Sequence, residues 1–166
     1  RILDVGTGSG CISISLAKFI AGASVESWDI SEGALEVARR NCALNGVEVL
    51  LRQQDVLLAQ PEPACFDVIV SNPPYITESE KADMEANVLD WEPATALFVP
   101  DADPLLFYRK IAELGTVMLK GGGSLYFEIN RAYGNETVKM LEDLGYKQIE
   151  LRKDDWGNDR MIKAVR

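Results

Sequence analysis

The 166-residue sequence contains no histidine. This absence excludes catalytic arrangements that pair histidine with serine or cysteine, and it removes the commonest protein ligand of transition metals. The three cysteines, Cys11, Cys42 and Cys65, are odd in number and form no CxxC pair, so we expect neither a disulfide framework nor a metal site. We predict instead that they are buried as small hydrophobic side chains in a reduced compartment.

Long apolar runs and positive charge are also scarce. No stretch approaches the roughly 20 apolar residues that a membrane-spanning helix needs, and there is no signal-peptide pattern. The formal net charge is −9, whereas broad binding to a nucleic-acid backbone requires a surface of lysine and arginine. We therefore predict a cytoplasmic protein with no membrane partner and no direct nucleic-acid partner.

The sequence does contain a regular alternation of strand and helix patterns. Seven strands are predicted, at RILDV, ASVESWDI, VEVLLRQQD, FDVIVSN, GGSLYFEI, YKQIELRKD and RMIKAVR. Helices are predicted at CISISLAKFIA, at SEGALEVARRNCALNG, from Asp103 to about Lys120, and at GNETVKMLEDLG with Gly145 closing it. The second helix is the best marked, because Ser31 can cap its N-terminus and Gly46 can end it.

This alternation predicts an α/β domain with a mostly parallel sheet and helices on both faces. The last two strands have no helix between them, so they must form an antiparallel hairpin at or near one edge. Residues 74–100 lack a clear pattern, and a segment of that length inside a compact domain usually serves as a lid or a binding loop.

The glycine loop, residues 4–10, joins the first strand to the first helix and reads DVGTGSG. In doubly wound sheets nucleotides bind at this turn, because glycine permits positive φ and close backbone approach, and a helix N-terminus favours negative charge. The spacing fits neither the dinucleotide fingerprint nor the phosphate loop. It resembles motif I of the class I S-adenosylmethionine-dependent methyltransferases, with a ligand-free tight turn as the alternative. The resemblance implies that the amino-acid end of the cofactor is held by Asp4, Gly6, Thr7, Gly8, Ser9 and Gly10.

Further cofactor-binding residues are predicted after the second and third strands. Asp29 lies about 20 residues beyond the glycine loop, where a carboxylate can accept hydrogen bonds from both ribose hydroxyls. Asp55 can accept the adenine amino group while Val56 packs on the ring, and Ile30 and Asn72 complete the predicted set. The alternatives are a helix cap for Asp29 and a solvated loop acid for Asp55.

The NPPY loop, residues 72–75, follows the fourth strand. Pro73 and Pro74 supply no N–H and hold φ near about −65°, so the backbone is stiff and extended. The loop matches the [N/D]PP[Y/F] motif of methyltransferases that act on nitrogens of planar, conjugated groups. We predict that the Asn72 side-chain oxygen and the Pro73 carbonyl accept hydrogen bonds from the target NH₂, while Tyr75 lies against the planar group. A rigid polar turn is the structural alternative.

Three further stretches, WEPATALF, SLYFEIN and KDDWGNDRMIKAV, narrow the substrate class. Together with both motifs they resemble the HemK/PrmC family of release factor glutamine N5-methyltransferases over essentially the whole chain. The resemblance implies a Rossmann-like class I fold and S-adenosylmethionine as cofactor, with S-adenosylhomocysteine as product. It also implies that the substrate is the glutamine in the GGQ motif of peptide chain release factors, the proteins of translation termination.

The same resemblance sets expectations for the domain organisation and for the acidic segment. The family carries a small helical domain before motif I, so residues 1–166 are predicted to be the catalytic domain without it. The acids between residues 78 and 92 either face a basic release-factor surface or form a solvated loop. Glu92-Pro93-Ala94 either closes over the site or packs structurally. Trp91 is a candidate substrate platform, and Trp28 is either sheet packing or a neighbour of adenine.

Two other functions stay open at this point. An adenine N6-methyltransferase acting on DNA or RNA would use the same NPPY loop, but it would need cations beside Tyr75. A scaffold that binds S-adenosylmethionine without catalysis would need no particular residue at position 72.

Overall fold

The structure, a computed structural model, describes residues 1–83 and 98–166. Glu85, Asp90, Trp91 and the predicted closing segment Glu92-Pro93-Ala94 lie outside the described residues. The described strands are β1 (Ile2–Val5), β2 (Val25–Asp29), β3 (Leu50–Gln53), β4 (Phe66–Ser71), β5 (Ile76–Thr77), β6 (Phe98–Val99), β7 (Leu119–Glu128), β8 (Lys147–Lys153) and β9 (Asp159–Val165). The described α-helices are α1 (Cys11–Phe19), α2 (Glu32–Asn45), α3 (Leu106–Met118) and α4 (Gly134–Asp143).

Seven of the strands form one sheet in the order β3-β2-β1-β4-β7-β9-β8. The pairs from β3 to β7 are parallel, whereas β9 runs antiparallel to both β7 and β8. The mostly parallel sheet with an antiparallel hairpin at one edge is therefore confirmed. The sequence pattern did not predict the separate two-stranded parallel sheet of β5 and β6, because each strand has only two residues.

The helices pack in two pairs, α1 with α2 and α3 with α4. From β1 the chain moves through β2 to β3 in one direction, and from β4 it moves to β7 in the other. Because crossovers between parallel strands are right-handed, reversing the direction places the connecting helices on opposite faces. Among the described residues no helix is long and apolar enough to span a bilayer.

Local signals set the ends of α2 as predicted. The Ser31 hydroxyl accepts a hydrogen bond from Ala34 N at 3.2 Å, and Gly46 adopts the left-handed conformation with φ of 67°. The predicted start of α3 at Asp103 is wrong, because that helix begins at Leu106. Asp103 forms a preceding turn, in which its carboxylate binds the Arg109 guanidinium at 2.7 and 2.9 Å.

The core lies between the sheet and the α3–α4 pair, where Leu3, Phe66, Ile69, Ile111 and Leu125 are almost fully buried. Cys42 is buried as predicted, and Cys65 is half-buried. The prediction is wrong for Cys11, which is exposed. Cys11 is the first residue of α1 and lines a cavity, and no element among the described residues packs over it.

Gly115 in α3 sits against the buried Tyr146 hydroxyl, which donates to the Ala112 carbonyl at 2.8 Å. A Cβ at position 115 would overlap that hydroxyl, so Gly115→Ala should lower the free energy of unfolding by about 1–3 kcal/mol. In a Tyr146→Phe background the remaining contacts of the new Cβ are ordinary, at 3.6 and 3.7 Å. There the same change should be neutral or stabilising by about 0.5–1 kcal/mol, because alanine is the better helix former. Urea unfolding of the four proteins checks this, and an equal loss in both backgrounds would contradict it.

Candidate active site

The predicted functional residues lie at one edge of the sheet because the parallel strands end together. Val5 at the end of β1 is in register with Trp28 on one side and with Ser71 on the other, and Asp29 is in register with Gln53. The Ser71 hydroxyl donates to the Val5 carbonyl at 2.6 Å, which ties the ends of β4 and β1 together. The glycine loop, Asp29, Asp55 and the NPPY loop all follow from this edge.

The glycine loop folds back over the end of β2. Gly6, Gly8 and Gly10 have φ of 73°, 56° and 87°, a region that favours glycine. Two loop amides, Gly6 N and Thr7 N, donate to the Trp28 carbonyl at 2.8 and 3.1 Å. An added Cβ at Gly6 would lie 3.9 Å from the Asn72 carbonyl oxygen, so the glycine loop and the NPPY loop are neighbours.

Asp4 anchors the glycine loop from below. Its carboxylate is fully buried and accepts the Thr7 hydroxyl at 2.6 Å, while its other oxygen has no partner among the described residues. Burial raises the pKa of Asp4 to about 6, although the hydrogen bond from Thr7 and the nearby Ser13 act in the opposite direction. Asp4 therefore supports the loop, and its carboxyl group changes protonation state at about pH 6.

Asp29 joins the glycine loop to the start of α2. One carboxylate oxygen accepts Gly8 N at 2.8 Å, and the other accepts Ser31 N at 2.9 Å. A carboxylate oxygen has two acceptor positions, so each oxygen keeps one for a ligand. The capping of α2 is done by Ser31, which removes the alternative role considered for Asp29.

A cavity of about 670 Å³ opens between the glycine loop and the NPPY loop. The predicted residues that line it are Gly6, Thr7, Gly8, Ser9, Asp29, Ile30, Asp55, Val56, Asn72, Pro73, Pro74 and Tyr75. Asp4 and Gly10 lie behind the wall rather than in it, with Gly10 buried where α1 approaches α2. A Cβ at Gly10 would come within 2.9 Å of Ile14 Cδ1 and 3.3 Å of Ala38 Cβ, so its observed role is close packing.

The part of the cavity beyond Asp29 is lined by both polar and apolar side chains. Asp55 is half-buried, and its carboxylate accepts Leu57 N at 2.8 Å. Trp28 packs in the sheet and also lines the cavity, with its indole N–H donating to Glu26 at 2.9 Å. Sequence reasoning did not select the other lining residues, which include Cys11, Ile12, Gln54, Phe98, Phe107 and Ile111.

The two ends of the NPPY loop differ in their contacts. Pro73 is buried, whereas the Asn72 side chain is exposed to the cavity and makes no hydrogen bond within residues 1–83 and 98–166. Tyr75 is held at two points, since its hydroxyl donates to Glu128 at 3.2 Å and its carbonyl accepts Asn130 Nδ2 at 3.0 Å. Burial, aided by the nearby Glu128 carboxylate, raises the pKa of Tyr75, so the hydroxyl stays protonated.

Glu80, Glu128 and Asn130 complete the support of the NPPY loop, and sequence reasoning gave none of them this role. Glu80, one of the acids between residues 78 and 92, is half-buried and hydrogen-bonded within the chain. Its carboxylate accepts Thr77 N at 2.8 Å and Asn130 Nδ2 at 3.0 Å. The available signal was positional: Glu128 ends the strand that pairs with β4 and Asn130 follows it, at the edge where Ser71 and Phe127 are in register.

Comparison with known proteins shows which family this chain belongs to. Residues 1–97 match the family model described as the methyltransferase small domain. The chain belongs to this family. It is 56% identical over its whole length to a release factor glutamine methyltransferase of Bacteroides thetaiotaomicron, of which it covers 60%. It is 52% identical to a protein of the same name from Flavobacterium psychrophilum, with 99% of this chain and 58% of that protein covered.

These relatives confirm the resemblance stated from the motifs, and this methyltransferase chain spans about 60% of the length of the first of them. Solved structures confirm the class I methyltransferase fold. A ribosomal protein L11 methylase from Lactobacillus delbrueckii subsp. bulgaricus has a TM-score of 0.66 at 23% identity, covering 99% of this chain and 67% of that one. A magnesium protoporphyrin IX methyltransferase from Synechocystis was solved with bound S-adenosylmethionine. It has a TM-score of 0.62 at 19% identity, covering 99% of this chain and 69% of that one.

The residues that line the cavity fit S-adenosylmethionine. Cys11 and Ile12 line the cavity in the first turn of α1, where backbone N–H groups have no partner within the helix and can meet a carboxylate. Asp29 keeps acceptor positions for ribose hydroxyls. Asp55 offers an acceptor beside the apolar surfaces of Val56 and Trp28, which suits an aminopurine.

The raised pKa of Asp4 makes a prediction about stability. The carboxyl group of Asp4 has a pKa of 3.8 in the unfolded chain and of about 6 in the folded protein. The stability contributed by its protonated form is therefore lost as the pH rises through about 6. Asp4→Asn stays neutral, so relative to the wild type it should gain about 1.4 kcal/mol between pH 5 and pH 8. Urea unfolding of both proteins at the two pH values measures this difference. A difference between the two proteins that does not change with pH would show that Asp4 does not titrate in this range.

Proposed function

We propose that this chain transfers a methyl group from S-adenosylmethionine to the side-chain amide nitrogen of the glutamine in the GGQ motif of peptide chain release factors. The observation that carries the proposal is one cavity that is lined both by the cofactor-type residues and by the NPPY loop. The names of the relatives support the substrate, since proteins 56% and 52% identical to this chain are called release factor glutamine methyltransferases.

The chemical difficulty of this reaction is that a carboxamide nitrogen is a weak nucleophile. A carboxamide nitrogen shares its lone pair with the carbonyl, the same resonance that gives a peptide bond its barrier of about 18–20 kcal/mol. S-adenosylmethionine, when bound, supplies the electrophilic sulfonium methyl group and leaves as S-adenosylhomocysteine. The protein must therefore orient the nitrogen and favour the charge that it develops.

The NPPY loop is suited to both tasks. The Asn72 side chain is exposed to the cavity and is not hydrogen-bonded within the described residues, so its oxygen can accept one hydrogen of the NH₂ group. The Pro73 carbonyl can accept the other hydrogen, and Tyr75 provides a flat wall for the amide. After transfer the nitrogen is acidic enough to release a proton to water, so the site needs no general base and the absence of histidine is no obstacle.

The charges around the cavity favour a protein substrate over a nucleic acid. Among the described residues that line it there is no lysine or arginine, and the net charge of the chain is −9. An adenine methyltransferase acting on DNA or RNA would need cations there for phosphates. We propose that residues 1–166 form the catalytic domain, acting in the cytoplasm without a nucleic-acid or membrane partner.

Mass spectrometry tests the proposal directly. The full-length protein is incubated with isotopically labelled S-adenosylmethionine and purified release factors, and the GGQ peptide is examined for one added methyl group on glutamine. Adenine-containing DNA and RNA are run in parallel. Methylation of the nucleic acid alone, or of neither substrate, would refute the proposed function.

Asn72→Ala tests the catalytic role in the same assay. Loss of one hydrogen bond that forms to the reacting nitrogen should lower kcat by about 10²–10³-fold, with little change in cofactor affinity. Asn45→Ala, at an exposed asparagine in α2, is the matched control and should retain full activity. Full activity of Asn72→Ala would show that Asn72 does not bind the reacting nitrogen, and an equal loss of cofactor affinity would remove the proposed catalytic role.

Asp29→Ala should act on the cofactor instead. The change removes the ribose acceptors and also releases Gly8 N and Ser31 N, so affinity for S-adenosylhomocysteine should fall by about 10–100-fold. Isothermal titration calorimetry measures the affinity, with Glu36→Ala on the exposed face of α2 as the control. An affinity within about twofold of the wild type would exclude ribose binding by Asp29.

A further inference from the structure

The NPPY loop has an anchoring problem that its own sequence creates. Proline has no N–H, so neither Pro73 nor Pro74 can be fixed by donating a backbone hydrogen bond. The prolines stiffen the backbone but do not fix its position against the sheet, so the loop must be held through carbonyls and through the residues that flank it. Both of the described anchoring hydrogen bonds involve Tyr75. Its hydroxyl donates to the Glu128 carboxylate, and its carbonyl accepts from the Asn130 side chain.

Asn130 is built into this position on all sides. It is 6% exposed, its backbone N–H donates to the buried Tyr108 hydroxyl at 3.1 Å, and its carbonyl accepts Tyr133 N at 3.1 Å. Its side-chain oxygen accepts Ala132 N at 2.9 Å, which caps the short 3₁₀ helix Arg131–Tyr133.

The side-chain nitrogen of Asn130 spans two segments around the loop. One contact is to the Tyr75 carbonyl at 3.0 Å, and the other is to the Glu80 carboxylate at 3.0 and 3.2 Å. The amide orientation is forced, because a carbonyl and a carboxylate can only accept and the Ala132 N–H can only donate. Burial of Glu80 acts to raise its pKa, but its bonds from Thr77 and Asn130 outweigh that effect and lower the pKa, so the carboxylate is ionised at neutral pH.

We propose that Asn130 is a positioning residue for methyl transfer, which fixes the Tyr75 carbonyl and through it the acceptor groups of Asn72 and Pro73. This inference rests on the proposed function of the NPPY loop. Asn130 is not among the residues that line the cavity, so the proposed role is to position the loop and not to contact substrate or cofactor. Its effect should therefore appear in kcat and not in the affinity for the cofactor, because a displacement of about 1 Å at a reacting group can cost on the order of 10²-fold in rate.

Asn130→Asp separates positioning from capping. An aspartate keeps the oxygen that accepts Ala132 N, but it replaces the donor to Tyr75 and Glu80 with a second acceptor. With the full-length protein and a release factor as substrate, kcat should fall by about 10–100-fold. KM for S-adenosylmethionine and the calorimetric affinity for S-adenosylhomocysteine should stay within about threefold.

A second variant distinguishes a misplaced loop from a damaged fold. The carboxylate introduced by Asn130→Asp would repel the Glu80 carboxylate, so Tm should fall. Adding Glu80→Gln restores a donor–acceptor pair between positions 80 and 130, so Tm should recover. The Tyr75 carbonyl still has no donor, so kcat should stay low. Recovery of kcat together with Tm would show that Asn130 only stabilises the fold and would overturn the inference.

Asn158→Asp is the matched control. Asn158 is half-buried and, like Asn130, donates its amide to a carboxylate, that of Asp154 at 3.3 and 3.4 Å, in the turn between β8 and β9. This change should lower Tm without changing kcat, and a comparable fall in kcat would contradict a specific role for Asn130. A wild-type kcat in Asn130→Asp would refute the inference alone. Failure of the wild-type protein to methylate any release factor would refute the proposed function and this inference with it.

Discussion

The site depends on the parallel, in-register pairing of β1 with β2 and with β4. Within the sheet, backbone polar groups are used in the ladder, but where parallel strands end together their last residues and the loops beyond need new partners. Here those partners come from neighbouring strand ends: the Trp28 carbonyl takes two glycine-loop amides, and the Val5 carbonyl takes the Ser71 hydroxyl. The cavity is the space left between loops that are tied to each other in this way.

Within that frame the NPPY loop has a fixed side and an open side. The fixed side faces β7, where Glu128 and Asn130 hold the two ends of Tyr75. The open side faces the cavity, where the Asn72 side chain has no hydrogen bond within the described residues. A stiff backbone that is anchored on one side can present acceptors to a ligand without reorganising, which is what stabilisation of a developing charge requires.

Acceptors dominate the polar groups around the cavity. Asp29 keeps free acceptor positions, Asp55 and Asn72 contribute oxygens, and the described lining contains neither lysine nor arginine. This balance matches a ligand pair rich in donors, namely ribose hydroxyls, an adenine amino group and a carboxamide NH₂. Buried Asp4 lies behind the glycine loop, where burial raises its pKa to about 6.

The sequence by itself determined whatever depends on local chemistry: the left-handed glycines after β1, the limits of α2 at Ser31 and Gly46, the stiffness of the NPPY loop, and the alternation that implies a parallel sheet. It also placed about half of the described lining residues, because strands that run parallel must end at one edge. Only the tertiary structure decided that Cys11 is exposed, that Gly10 serves packing, that Glu128 and Asn130 hold Tyr75, and that Asn130 also binds Glu80. The physical reason is distance along the chain. Asn130 meets partners 50 and 55 residues away, and no local pattern records which buried donor will meet which acceptor once the strands have paired.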